Sequence, residues 1–190
     1  TFFESRYWKE LHNDKMNLIP QGLQDRLGFN FTHTFMNQEG YRLSAAQNVD
    51  QPVEGHSAEY TSTNYGVIVY MKSGLSFNYL EDYLGREKID QCFHTYYEKW
   101  KFKHPQPEDI QAVFEEVSGV DLDWFFDAYL NGKHKVDFKI TKQNESTFTI
   151  VNKSGTALPV SLSLLDDQGK MISTYWTKPF LKDTIITVTE

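Results

Sequence analysis

NYGVIVYMKSGLSFNYLEDYLG, residues 64–85, decides how the rest of the chain reads. Tyr65 and Tyr70 stand five apart, Lys72 and Gly74 follow, and Leu75, Tyr79, Leu80 and Leu84 recur at helical spacing. The pattern predicts one long helix over 64–84, ended by Gly85, a residue suited to a left-handed C-terminal position. A tyrosine at the head of an amphipathic helix can hold its hydroxyl over a neighbouring element while the residues behind it anchor the helix in a core. Such a phenol can donate a hydrogen bond to an oxygen that is gaining negative charge. The chain has 11 Tyr and 14 Phe, however, so packing is the default role of any one aromatic and the tyrosines must be read in context.

Upstream, Phe3, Tyr7, Trp8 and Leu11 recur at helical spacing with no capping residue before them, so the start reads as the middle of a helix and the chain as a fragment. Pro20, Gly22, Gly28, Gly40, Pro52 and Gly55 interrupt 13–60, leaving room for short helices over 21–27 and 40–47. Downstream, a helix over 87–102 carries Ile89, Cys92, Phe93, Tyr96 and Trp100 on one stripe until Lys103-His104-Pro105 stops it. Pro107-Glu108-Asp109 opens a third helix with Ile110, Val113, Phe114 and Val117 on its buried face, closed by Gly119. Asp121 is placed to cap a fourth, with Leu122, Phe125, Phe126, Tyr129 and Leu130, ending at Gly132.

After Gly132 the period changes from that of a helix to that of a strand. Val136, Phe138 and Ile140 alternate with polar residues, as do Phe148 and Ile150, then Val160, Leu162 and Leu164, then Ile185 and Thr187, with turns at Asn144, Gly155 and Asp166-Asp167-Gln168-Gly169. The expectation is an α+β chain: a mainly helical part over 1–133, then a small antiparallel β-sandwich-like domain of about five strands over 134–190. That length is short of the ~100 residues of a full seven-stranded sandwich.

With 39% hydrophobic and 24% charged residues the chain is an ordinary globular protein, and its net charge of -7 lacks a basic stripe, which argues against nucleic acid as a partner. No apolar run approaches the ~20 residues of a membrane span, and the first residues carry no charged and apolar leader pattern. Cys92 is the lone cysteine, so no intrachain disulfide forms, and in a helical pattern it reads as a buried thiol.

The six histidines, 12, 33, 56, 94, 104 and 134, form no His-x-x-x-His pair, so the chain carries no zinc motif of its own. His94 and Glu98, four apart on one helix, read as a surface pair. Neither a nucleophile elbow nor a phosphate-cradling glycine loop is present. Asp121 with Asp123, or Glu115 with Glu116, could serve glycoside chemistry, but a helix start and an exposed helix face explain them more simply. Three glycosylation sequons, at Asn30, Asn144 and Asn152, are short enough to arise by chance. Tyr175 and Trp176 could stack on a sugar or a peptide, or pack in a core.

In order, Asn64-Tyr65-Gly-Val-Ile-Val-Tyr70-Met-Lys72, Tyr79-Leu80-Glu81-Asp82-Tyr83-Leu84-Gly85, His104-Pro105-Gln106-Pro107-Glu108-Asp109 and Ser118-Gly119-Val-Asp121-Leu122-Asp-Trp124-Phe125-Phe126 resemble the aminopeptidase N-like family of zinc metallopeptidases, the gluzincins with a thermolysin-like catalytic domain. The resemblance covers about 1–132. It implies that Tyr70 is the family's catalytic tyrosine, whose hydroxyl meets the carbonyl oxygen of a peptide substrate, and that Tyr65 is a second tyrosine lining the same cleft. Phe2, Phe3 and Glu4 resemble the end of the family pattern that follows the third zinc ligand. On that alignment Glu4 is a carboxylate behind the metal site, and the zinc ligands lie in an upstream part of the same polypeptide. This chain then holds no metal ligand and is inactive by itself. The family and the β module point to a periplasmic or extracellular protein. One departure stands out: the usual Tyr-x-Lys-Gly is here Tyr70-Met-Lys72-Ser73-Gly74. From the residues alone, a non-catalytic helical and β interaction module of an envelope protein and a carbohydrate-active domain remain open alternatives.

Overall fold

The computed structural model describes residues 1–13, 20–28, 32–132, 134–144 and 146–187. The chain divides into two compact units, Thr1–Leu80 and Glu81–Glu190.

The first unit contains α1 (Phe2–His12), α2 (Gln21–Leu27), α3 (His33–Ala46) and a 3-10 turn (Ser57–Glu59). One continuous helical run follows: α4 (Ser62–Asn64), a π-helical segment (Tyr65–Lys72) and α5 (Ser73–Leu84), whose last turn falls beyond the unit's boundary. The helix expected over 21–27 is α2. The one expected over 40–47 is the second half of the longer α3. Thr32 begins α3 by accepting the Phe35 N–H at 2.9 Å, a cap that the sequence reading passed over. Gly40 does not break α3 because it serves the packing: a Cβ there would sit 2.7 Å from Met71 Sδ of the π-helical segment.

The face of α1 that the spacing marks as buried is largely exposed. Phe3, Tyr7 and Leu11 are each more than half exposed, Trp8 is half-buried and stacked with His33 at 6.3 Å between ring centroids, and Phe2, Ser5 and Arg6 are buried. Phe2 meets Phe77 of α5 with ring centroids 6.1 Å apart. Ser5 Oγ lies 3.2 Å from His33 Nδ1 of α3, and Arg6 lies over the Phe2 and Phe3 rings at 5.4 and 5.7 Å. α1 therefore seats its mixed polar face and leaves the apolar one outward.

The second unit continues with α6 (Arg86–Trp100), α7 (Pro107–Ser118) and another π-helical segment (Trp124–Leu130). Gly85 has φ +86 and ψ 149, a conformation with positive φ that glycine takes without strain, but it is extended rather than left-handed helical and begins α6. Gly119 is left-handed, as expected at the end of α7, with φ +69. Gln106 and Asp109 form a capping box, with the Gln106 N–H donated to Asp109 Oδ2 at 2.7 Å. Ile89, Cys92, Val113, Phe114, Leu122 and Phe125 are buried together with almost no exposed surface. Phe114 stands edge-on to Phe93 at 5.0 Å and to Phe126 at 5.9 Å. Cys92 donates its weak S–H to the Phe114 carbonyl at 3.8 Å, and burial pushes its thiol pKa up, so it is a packing residue.

Among the described residues five strands follow: β1 (Phe138–Lys142), β2 (Thr147–Asn152), β3 (Ser161–Leu165), β4 (Met171–Trp176) and β5 (Thr184–Thr187). They form two antiparallel sheets, of order β1-β2-β5 and β3-β4. The α+β class expected from the change of period is thus observed. Ile140 pairs with Ile150 across β1 and β2, and Ile150 and Leu158 supply the buried apolar surface. β4 had no clean alternation to betray it. Its residues are exposed up to Tyr175, and only Trp176 is half-buried.

Candidate functional site

A glycine followed by three β-branched residues, Gly66-Val67-Ile68-Val69, is a poor α-helix former. Here the helix widens. The Ser73 N–H bonds to the Ile68 carbonyl five residues back, and Ser73 Oγ donates to the same carbonyl at 3.3 Å. In a regular α-helix, residues five apart point about 140° away from each other, from 3.6 residues per turn. The i to i+5 winding narrows that angle and brings Tyr65 and Tyr70 onto one side. Their ring centroids are 5.6 Å apart at 71°, edge to face.

Both phenols are about half exposed, so a ligand in solution can reach them. The Tyr70 pKa is raised, first by a hydrogen bond with Tyr65, then by the Tyr65 charge and then by partial desolvation. A hydrogen bond raises the pKa of an acid when the protonated form donates it, so the Tyr70 hydroxyl is the donor and Tyr65 the acceptor in the resting pair. Tyr65 also meets Tyr60 edge-on at 6.4 Å. Tyr60 is fixed by donating its hydroxyl to the Pro52 carbonyl at 2.8 Å, and burial, followed by Glu54 and Glu59, raises its pKa.

The departure in the motif has a structural answer. Ser73 takes the place of the usual glycine and helps satisfy the wide turn, while the displaced Gly74 is buried where α1 begins. A Cβ on Gly74 would sit 2.9 Å from Thr1 Cγ2 and 3.5 Å from the Phe2 nitrogen. Glu4, by contrast, is exposed on α1.

Two residues flanking the tyrosines carry more structure than the sequence reading gave them. Asn64 is buried and its Nδ2 donates both to the Val49 carbonyl and to Gln51 Oε1, each at 2.8 Å. Lys72 is 3% exposed; desolvation lowers its pKa to about 8, while the Asp50 charge acts in the opposite sense. An asparagine inside a helical run, and a lysine ending an apolar one, were the available signals.

Among the described residues one group could approach a metal ion: Glu115, Asp121 and Asp123, with ligand atoms within 4.8 Å of one another. All three offer oxygen only, and one oxygen of each already accepts a hydrogen bond around the turn after α7. Glu115 Oε1 accepts the Leu122 N–H at 2.9 Å, Asp121 Oδ1 accepts the Asp123 N–H at 3.0 Å, and Asp123 Oδ1 accepts Gln111 Nε2 at 2.7 Å. Glu115 is half-buried rather than on an exposed face. Zinc sites are built from imidazole or thiolate with carboxylate, so these residues do not fit zinc. Glu98, expected to pair with His94, bonds chiefly to Lys101 at 2.7 Å, which lowers its pKa ahead of the smaller effect of His94.

The sequence model of the Peptidase family M1 domain matches residues 2–129, which hold the tyrosine pair and all the helices described above up to Tyr129. The chain belongs to peptidase family M1. Members of this family are generally zinc-dependent. The chain is 33% identical over 76 residues to two proteins of Oryza sativa subsp. japonica, Aminopeptidase M1-C and Aminopeptidase M1-D. Each match takes in 40% of this chain and 9% of the relative, so the chain corresponds to a small part of these aminopeptidases. It is a peptidase-lineage fragment of the M1 domain followed by two small sheets.

Proposed function

We propose that this chain supplies the transition-state-stabilising tyrosine of a zinc-dependent M1 aminopeptidase and that Tyr70 is that residue. The observation that carries the reading is the Tyr65–Tyr70 pair, exposed on a π-helical segment inside the stretch that matches the family. The substrate class is a peptide. As its carbonyl carbon becomes tetrahedral, the carbonyl oxygen gains negative charge, and the Tyr70 hydroxyl turns its one proton from Tyr65 to that oxygen. Tyr65 holds the Tyr70 ring in place and favours its protonated form. A donor aimed at a developing oxyanion is commonly worth about 3 to 4 kcal/mol, or 100- to 1000-fold in rate.

The described residues do not fit zinc, so the reading assigns the metal to another part of the polypeptide. The outward stripe of Phe3, Tyr7 and Leu11 on α1 supports the presence of further protein against this unit, since contiguous apolar surface is normally covered. By itself the chain is expected to be inactive.

The test is Tyr70→Phe in the full-length parent, with kcat, KM and zinc content measured on aminoacyl amides. The expected result is a fall in kcat of about 100-fold or more at unchanged zinc content. Unchanged kcat removes Tyr70 from the reaction, and a parent without zinc or activity makes this a peptidase-like scaffold.

A further inference from the structure

The π-helical segment is bracketed. Asn64 immediately precedes Tyr65, and Lys72 follows Tyr70 by two residues. Asn64 binds a three-residue strip of the loop that leaves α3, and Lys72 feels the charge of that strip's middle residue. The Asn64 amide donates to the Val49 carbonyl and to Gln51 Oε1, each at 2.8 Å. Lys72 is buried at the other end, and the charge of Asp50, the residue between them, raises its pKa against the larger effect of desolvation. The strip is tied further: Gln51 Oε1 also accepts the Thr61 N–H at 3.2 Å, Gln51 Nε2 donates to the Glu59 carbonyl at 3.0 Å, and Thr61 Oγ1 accepts the Asn64 N–H at 3.2 Å. From α3, Ser44 Oγ donates to Asn64 Oδ1 at 3.4 Å.

We infer that Asn64 and Lys72, closed by the strip Val49-Asp50-Gln51, form a clasp that fixes the winding of the π-helical segment, and that both are positioning residues for the Tyr65–Tyr70 pair. The physical case is one of cost. A π-helical turn is a rare winding, and Gly66 and the β-branched run leave it no propensity advantage over the alternatives. A buried lysine and a buried asparagine are expensive unless their polar atoms are engaged. Both costs fall at the two ends of one eight-residue segment, and both groups address one strip. Rewinding the segment by a single residue would withdraw one end of the clasp and strand its buried polar group, so the clasp penalises the regular α-helix that would part the two phenols. The term positioning rests on the reading of Tyr70 as the reacting donor; the clasp itself does not.

The experiment perturbs the strip and reads the tyrosines. In the 190-residue chain carrying 13Cζ-tyrosine, the Tyr70 resonance is assigned by its loss in Tyr70→Phe and titrated in the wild type, Asp50→Asn and Gln51→Leu. These variants leave Asn64, Lys72 and both tyrosines in place and spare the helix, and far-UV circular dichroism checks the fold. The expected result is that the Tyr70 titration moves down toward that of an isolated phenol in both variants, because the hydrogen bond to Tyr65 loosens. An unmoved Tyr70 titration in folded Asp50→Asn and Gln51→Leu overturns the clasp. If a variant loses helix content, Ser44→Ala and Asp50→Glu serve as milder perturbations under the same criterion. In the full-length parent, the same substitutions should lower kcat, by up to about 100-fold for a displacement near 1 Å, while KM changes little. A shifted Tyr70 resonance with unchanged kcat upholds the clasp and refutes the role of Tyr70 instead.

Discussion

Replacing Lys72 with methionine should abolish a specific pH dependence of stability. Lys72 is 3% exposed and its pKa is lowered from 10.5 to about 8 by desolvation, with Asp50 opposing. Between those values the unfolded chain holds the lysine proton more often than the folded one. Since stability rises with pH wherever the unfolded state binds more protons, the wild type should gain stability from pH 8 to 10 on account of this group. At 1.36 kcal/mol per pKa unit, the gain is about 2 kcal/mol over that window. Other groups titrate there too, the tyrosines among them, but they are common to the wild type and Lys72→Met and cancel in the difference. The assay is urea denaturation of both proteins by circular dichroism at pH 8, 9 and 10. The difference in unfolding free energy, wild type minus variant, should climb by about 2 kcal/mol. A flat difference would mean that Lys72 carries its charge as easily inside the fold as outside it, and would contradict the lowered pKa.

Tyr65→Phe should bring the Tyr70 pKa down, since the hydrogen bond with Tyr65 is the leading cause of its elevation; 13C titration of the assigned tyrosine checks this. Phe114→Ala should cost about 3 to 5 kcal/mol in urea unfolding, because Phe114 is fully buried among Phe93 and Phe126 and its removal leaves a cavity.

The helices were legible where apolar spacing coincided with a stop signal. The run from Pro107 to Gly119 has proline and acids at its head, a full apolar face and glycine at its end, and α7 follows those limits. Legibility failed where tertiary contacts override local signals. α1 has a regular stripe in Phe3, Tyr7 and Leu11, yet it turns Ser5 and Arg6 inward because His33 and the Phe2 ring are there to receive them. The π-helical winding could not be read because α- and π-helices share the same apolar residues and differ by one position in hydrogen-bond partner. In a regular α-helix the five-residue spacing of Tyr65 and Tyr70 parts the two rings, and only the family resemblance implied that they share a cleft. Gly40 read as a breaker, since its use, admitting Met71, depends on a neighbour 31 positions away. Asn64 and Lys72 were visible as unusual residues in an apolar run, but their common target, residues 49–51, emerges only in three dimensions.

On the proposed role, the Tyr70 hydroxyl acts on the oxyanion and not on the bound substrate. The direct measurement is the affinity of the full-length parent and its Tyr70→Phe variant for two inhibitors: a phosphinic peptide, whose anionic tetrahedral centre imitates the reacting carbon, and a substrate-like peptide that cannot be cleaved. The account expects the phosphinic peptide to lose about 100-fold in affinity while the substrate-like peptide binds both proteins equally. Equal losses for both inhibitors, or none for either, would contradict it.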